Sequence, residues 1–349
     1  MLDEVYLQRC FQLARLGAGQ VSPNPMVGAV LVHQGRIIGE GWHGRYGEAH
    51  AEVNCIASVL PENQHLIKES TLYCSLEPCF HYGKTPPCVD LVLRCAIPRV
   101  VVSNIDPNPK VGGQSLARLR AAGVAVSQGL LEVEGRALNR AFFTWIERKR
   151  PYIHLKWAQS ADAFLGRTGQ RVAISGPAAL RYVHRRRSEA DAILVGRTTA
   201  LVDNPRLDTR YYPSRSPLRL AFDRPGTLPP GHHLLDDSTD TWIFGPPRPG
   251  NWVYTRFFPG ENPIGIPDLL QQLAEAGRAI LLVEGGAQVL QQWIAADVWD
   301  EITVIQNEQR LAQGLAAPPV PATAALVEAF SIGPDRVFVY RPGGEKAIK

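Results

Sequence analysis

The sequence predicts an α/β protein of two domains, and three observations carry that reading. Its 349 residues exceed one ordinary core and suit two domains of ~100–200 residues each. Apolar runs of strand length alternate with helix-length segments through both halves. Between the halves, Glu147-Arg148-Lys149-Arg150-Pro151 is charged, lacks an apolar period and ends in proline. The expected domains are residues 1–148 and 151–349.

In the first half, Asp3 to Leu16 reads as an amphipathic helix with Asp3 as cap and Gly17 as stop. Val27 to His33 and Arg36 to Gly41 read as strands around the Gln34-Gly35 turn. A helix follows from His50 to Leu60, ended by Pro61, then a buried strand from Thr71 to Ser75. Further helices are expected at 85–95, 113–122 and 131–148, with strands at 99–103 and 124–126. The second half reads as strands 152–158, 192–196, 218–222, 241–244, 279–283, 301–305 and 336–340. Helices 177–188, 267–276 and 286–296 lie between them, and the Pro/Gly-rich stretches 211–217 and 225–238 read as surface loops.

Composition narrows the class. Hydrophobic residues at 45% and charged residues at 20% allow both halves to fold. No run approaches the ~20 apolar residues of a membrane span, and Met1 to Leu16 lacks a signal-peptide core. A cytoplasmic protein acting at no membrane is expected. The formal charge of +4 is mild and suits phosphorylated small molecules as well as nucleic acid; the basic residues are scattered, so charge alone does not mark a nucleic-acid binder. All six cysteines (10, 55, 74, 79, 88 and 95) fall in the first half. Without a signal peptide this crowding argues for a metal or a reactive thiol over disulfides.

Three of those positions carry chemistry: His50-Ala51-Glu52, Pro78-Cys79 and Cys88. A catalytic zinc takes three nitrogen or sulfur ligands and leaves one position for water. His50, Cys79 and Cys88 supply that set, and Glu52 is the base able to move the proton of a water acidified there. Cys88 follows Thr85-Pro86-Pro87 at an expected helix start, where a thiolate is stabilised. His-x-Glu followed by Pro-Cys and a later Cys is the pattern of zinc nucleobase deaminases. The second cysteine here comes nine residues after the first instead of the usual three. A structural zinc is the alternative; it needs a fourth protein ligand, for which His81 and Cys74 are the spare candidates. Cys10, Cys55, Cys74 and Cys95 sit in apolar patterns and read as small buried residues.

With that spacing, "SPNPMVGAV", "GEGWHGRYGEAHAE", "SLEPCFHYGKTPPC" and "DPNPKVGG" together closely resemble the bifunctional riboflavin-biosynthesis deaminase/reductases. The resemblance implies a cytidine-deaminase-like three-layer sandwich followed by a dihydrofolate-reductase-like domain. It also implies Zn2+ and NADPH as cofactors, a phosphorylated diaminopyrimidinone ribosylamine as substrate, and a homo-oligomer. Carried over, His50, Cys79 and Cys88 match the zinc ligands and Glu52 the proton shuttle. Asn24, His43, His81 and Lys84 match positions around the pyrimidine and the ribose phosphate. An asparagine reads a ring edge as both donor and acceptor, and a lysine offers a cation to phosphate.

In the second half, "LVEGGAQVL" reads as a strand ending in Glu284, two glycines and a helix start that favours phosphate. Together with "AILVGRTTALVDNPRLDTR" and "LKWAQSADAFLG" it resembles the family's reductase half. By that resemblance Ala158, Thr199, Asp203, Gly285 and Gly286 border NADPH, and Arg187, Leu207, Arg210 and Glu284 border the substrate. Arg187 and Arg210 suit phosphate forks, whereas Arg185 and Arg186 read as a solvated helix face. Ala163 stands where a glycine is usual, Arg171 where a serine is common and Ala173 where a tryptophan is often found, and "IQNEQRLAQGLAAP" departs from the family's commoner form. Two rival readings are a nucleic-acid base deaminase and a deaminase whose C-terminal half is not catalytic.

Overall fold

A computed structural model describes residues 2–80, 86–109, 111–260 and 264–344. The chain divides into two compact units, Met1–Lys149 and Arg150–Lys349. Among the described residues, no helix is long and apolar enough to cross a membrane.

The first unit runs α1 (Leu2–Ala14), β1 (Gly28–His33), β2 (Arg36–Trp42), α2 (Ala51–Ala57), β3 (Thr71–Leu76), α3 (Cys88–Arg94), β4 (Arg99–Asn104), α4 (Gln114–Ala121), β5 (Ala125–Gln128), α5 (Glu132–Leu138) and α6 (Arg140–Arg148). Its sheet has the order β2-β1-β3-β4-β5. The β1–β2 and β1–β3 pairs are antiparallel; β3–β4 and β4–β5 are parallel. Side chains of period two explain the three layers. Ala29, Leu31, Leu72, Cys74, Val100 and Val102 pack against α2, α3 and α4. Val30, Val32, Tyr73 and Val101 point the other way onto Leu7, Cys10 and Leu13 of α1. A sheet covered on both faces needs nearly continuous apolar strands, and β1, β3 and β4 have them. Helices press close where the strands have glycine: a Cβ at Gly28 would overlap the Cys10 carbonyl, and one at Gly41 the Cys55 amide.

The second unit runs β6 (Tyr152–Gln159), β7 (Phe164–Gly166), α7 (Pro177–Glu189), β8 (Ala192–Val195), α8 (Arg197–Asp203), β9 (Leu218–Phe222), β10 (Thr241–Phe244), β11 (Thr255–Phe257), α9 (Ile266–Glu275), β12 (Ile280–Val283), α10 (Ala287–Ala295), β13 (Glu301–Asn307), β14 (Leu315–Ala316), β15 (Ala324–Ile332) and β16 (Asp335–Pro342). Its main sheet has the order β11-β10-β9-β8-β12-β6-β13-β16-β15. It is parallel from β11 to β13, and β16 and β15 close it as an antiparallel hairpin. One face buries Ile153, Leu155, Trp157, Leu194 and Leu281 against α9 and α10. On the opposite face of β6, His154 and Lys156 replace apolar residues.

Two expected helices differ, and α8, β7, β11, β14 and β15 add to the expected elements. The helix expected at 131–148 is two helices broken at Asn139. The helix expected to run from His50 to Leu60 ends at Ala57, and a 3-10 turn covers Pro61–Glu69. The nine-residue edge strand β15 was not expected, because a bulge between Leu326 and Glu328 breaks its alternation.

Ala163 adopts φ 62°, the left-handed conformation that costs an L-residue roughly 1–2 kcal/mol. The loop imposes it: Ala163 N donates to Ser160 O at 3.0 Å and Ala317 N donates to Ala163 O at 2.9 Å. Ala163→Gly is therefore expected to stabilise the second unit by about 1 kcal/mol, raising its thermal midpoint by ~2–4 °C. An unchanged or lower midpoint in calorimetry contradicts the strain.

Candidate functional site

In the first unit, two helix starts and one strand exit meet. His50 is the residue before α2, Cys88 is the first residue of α3, and Cys79 follows β3 by three residues. The His50 Nδ1 lies 3.4 Å from the Cys79 Sγ and 3.4 Å from the Cys88 Sγ. All three ligand atoms lie within 4.8 Å of one another. A tetrahedral zinc with ordinary Zn–N and Zn–S bonds separates nitrogen from sulfur by about 3.5 Å, so the donor set and its spacing fit zinc.

Backbone bonds fix the trio. Cys88 N donates to the Cys79 Sγ at 3.2 Å, and Val89 N donates to Cys79 O at 3.2 Å. The Cys88 thiol hydrogen-bonded to Cys79, together with the His50 ring, lowers Cys79 and favours its thiolate. The same bond and burial raise Cys88. Glu52, in the first turn of α2, is 3% exposed. Burial, with the Cys79 sulfur nearby, pushes its carboxyl up to about 7.

Beside this trio stand His43 and Asn24. The His43 and His50 ring centroids are 5.3 Å apart. His43 Nδ1 lies 3.1 Å from Ala49 O, and a carbonyl only accepts, so Nδ1 carries the proton. Burial lowers His43 and keeps it neutral. Its Nε2 is then an acceptor for the Asn24 Nδ2 at 3.3 Å, which leaves the Asn24 Oδ1 as the acceptor facing outward from that bond. His81 and Lys84 lie outside the described residues.

Sequence reasoning missed Glu77, two residues before Cys79. Its carboxylate accepts from the amides of Asp106 (3.2 Å), Gly113 (2.8 Å) and Ser115 (3.1 Å) and from the Ser115 hydroxyl (2.5 Å). It joins the loop after β4 to the loop that carries Cys79. An acid at the end of an apolar strand was the available signal.

The second unit gathers a different set. Arg187 Nε and Nη2 donate to the Glu284 carboxylate at 3.0 and 2.8 Å, and Lys156 Nζ lies 3.8 Å from it. Burial alone raises a carboxyl, but Arg187 and Lys156 outweigh it and hold Glu284 down to about 2. Burial lowers the Lys156 ammonium despite Glu284. The Arg187 fork expected for phosphate is therefore occupied by Glu284. Arg210 is exposed, pairs with Asp208 and lies over the Tyr211 ring at 4.9 Å. Leu207 is buried with φ 53°, and Arg187 Nη1 donates to Asp208 O at 3.3 Å, so the Arg187–Glu284 pair is tied to the segment that carries Leu207 and Arg210.

Gly286 precedes α10 with no side-chain cap. A Cβ there would lie 3.0 Å from the Thr199 Oγ1, so the glycine keeps open a cradle between that hydroxyl and the α10 amides. Such a cradle fits a dinucleotide phosphate. A Cβ on Gly285 would instead overlap Val289; that glycine serves packing as well. Ala158 lies near the end of β6, and Asp203 ends α8, where burial raises its carboxyl against the pull of Arg171. Gln309 Nε2 donates to the carbonyls of Ala173 (3.0 Å) and Ile174 (3.2 Å), which joins two of the departures noted above.

Arg186 is not a solvated residue. It pairs with Glu301 at 2.7 Å and Glu189 at 2.7 Å, and Arg341 joins Glu301 at 2.9 Å. His154 Nε2 sits 2.8 Å from the Thr303 hydroxyl beside this network.

Comparison with known proteins agrees across the chain. The model of the cytidine and deoxycytidylate deaminase zinc-binding region matches residues 1–104, and that of the RibD C-terminal domain matches residues 151–307. The riboflavin biosynthesis protein RibD of Aquifex aeolicus is 36% identical over 325 residues, 90% of this chain and 89% of that one. The Escherichia coli RibD is 35% identical over 344 residues, covering 91% and 92%. A crystal structure of the Thermotoga maritima diaminohydroxyphosphoribosylaminopyrimidine deaminase/5-amino-6-(5-phosphoribosylamino)uracil reductase superposes with a TM-score of 0.89. It is 32% identical and covers 98% of this chain and 99% of that one.

Burial, helped by Arg186, holds His154 down to about 3, well below the ~6.5 of an unfolded histidine. Between those values the unfolded chain binds a proton that the folded chain does not, so stability falls as pH drops from ~6.5. The slope from this one group reaches about 1.4 kcal/mol per pH unit. Chemical denaturation at pH 7.5 and 5.0 is expected to show His154→Gln losing less than the parent. Parallel losses contradict a neutral buried imidazole.

Proposed function

The chain belongs to the RibD family of bifunctional riboflavin-biosynthesis deaminase/reductases, and from that premise we propose how its own residues divide the two reactions. The first converts a diaminopyrimidinone ribosylamine phosphate: water enters at the ring carbon bearing the 2-amino group and ammonia leaves. The second reduces the ribosyl side chain of the product to ribityl. The convergence of His50, Cys79 and Cys88 within 4.8 Å beside buried Glu52 carries this reading.

Zinc held by those three side chains supplies an acidified water. Glu52 takes the proton at a carboxylate oxygen and hands it to the departing nitrogen. With its Nδ2 held by His43, Asn24 presents Oδ1 to a ring N–H and so orients the pyrimidine. We assign the ribose phosphate to His81 and Lys84.

NADPH supplies the hydride of the second reaction. The cradle at Gly286 and Thr199, with Ala158 and Asp203, is assigned to it. Arg210, exposed and resting on Asp208 and Tyr211, is the phosphate fork, with Leu207 beside it. Arg187 keeps Glu284 ionised and aimed. Reduction also consumes a proton, and the Lys156 ammonium, lowered by burial, is placed beside Glu284 to deliver it. The substrate is a small molecule, and the reading includes a homo-oligomeric, cytoplasmic enzyme that needs neither nucleic acid nor membrane.

The test supplies the ribosylamine phosphate and NADPH to zinc-replete protein and follows ammonia and NADPH oxidation together. Both signals are expected. Glu52→Gln is expected to lose both, with oxidation returning when the deaminated intermediate is given instead. Ammonia without oxidation leaves the second unit non-catalytic, and neither signal overturns the substrate assignment.

A further inference from the structure

Asn139 sits between α5 and α6 and is 4% exposed. It precedes the first residue of α6, where an asparagine side chain ordinarily accepts a hydrogen bond from the first-turn amides. It makes no such bond. Its carboxamide instead grips one distant residue on both sides: Met26 N donates to Oδ1 at 2.8 Å, and Nδ2 donates to Met26 O at 2.9 Å. This is the pairing a neighbouring strand would offer, made by one side chain across 113 residues of sequence.

The segment it grips is the one that carries Asn24. Asn24 N donates to Val21 O at 2.9 Å on one side of Met26, and His43 N donates to Val27 O at 2.9 Å on the other. The backbone from Asn24 to Val27 is thus held at both ends and clamped at Met26, and its Asn24 side chain meets the His43 ring at 3.3 Å. That ring stands against His50. A helix that leaves its own start uncapped while fixing this segment serves the segment's geometry.

We propose that Asn139 is a positioning residue for the deamination: it fixes the Met26 backbone so that Asn24 meets the pyrimidine edge. Asn139 does not touch the substrate and acts through Asn24. The inference rests on the assignment of Asn24 and His43 to the pyrimidine. A residue that merely stabilises the fold would reduce zinc retention and reductase activity along with deamination; a positioning residue moves deamination alone, and only while Asn24 is present.

The experiment uses the full-length protein and compares parent, Asn139→Ala, Asn24→Ala and the double variant in ammonia release from the diaminopyrimidinone ribosylamine phosphate. Zinc content and NADPH oxidation with the deaminated intermediate are measured alongside. Asn139→Ala is expected to lower the deamination kcat/KM about 10–100-fold, with zinc content and reduction within about twofold of the parent. Added to Asn24→Ala, it is expected to cost nothing further, because both remove the same interaction. Where Asn139→Ala fails to fold, Asn139→Asp keeps the acceptor for Met26 N, loses the donor to Met26 O, and takes its place in the cycle. Deamination within twofold of the parent, or losses that multiply in the double variant, overturns the proposal. A parent that releases no ammonia overturns the substrate assignment on which it rests.

Discussion

Three ligand atoms from three separate segments must arrive within 4.8 Å of one another, and the first unit is organised around that convergence. Strand β3 delivers Cys79, α3 begins at Cys88, and α2 begins just after His50. A helix start is a favourable place for a thiolate or a polar ligand because its first amides lack partners. The same arrangement turns Glu52, one residue into α2, inward beside the ligands. Holding both loops at the ends of parallel strands falls to Glu77, whose carboxylate accepts from the first amides of α4 and from the Asp106 amide. The Cys79 loop and its Glu77 anchor thus depend on how β3 is set beside β4.

The second unit answers a different demand with different means. Its chemistry needs charge inside a sheet-and-helix core, where an unpaired ion is costly. Glu284 is matched by Arg187 and Lys156, and Glu301 by Arg186 and Arg341. These pairs lie along one face of β6 and its neighbours, while the opposite face is apolar. Removing either carboxylate would leave two cations buried without their counter-ion, so loss of Glu284 or Glu301 is destabilising.

The meeting of His50, Cys79 and Cys88 was legible because residue types at a fixed spacing encode such a cluster directly. The alternating α/β pattern was legible because strands buried on both faces are continuously apolar, as in β1 and β4. What escaped the sequence depends on partners far along the chain. Arg186 looks like a surface residue until Glu301, 115 positions away, is brought against it. The Arg187 fork seems free for phosphate until Glu284 takes it. β15 hides because its bulge interrupts the period, and the break at Asn139 hides because the flanking segments share helical composition.

The most direct measurement of the central claim is X-ray absorption at the zinc edge of the purified protein, with metal content determined on the same sample. The account predicts one zinc per chain with two sulfur ligands and one imidazole, lost in Cys88→Ala. A third sulfur, or a second imidazole, would contradict it by making the site a closed structural centre.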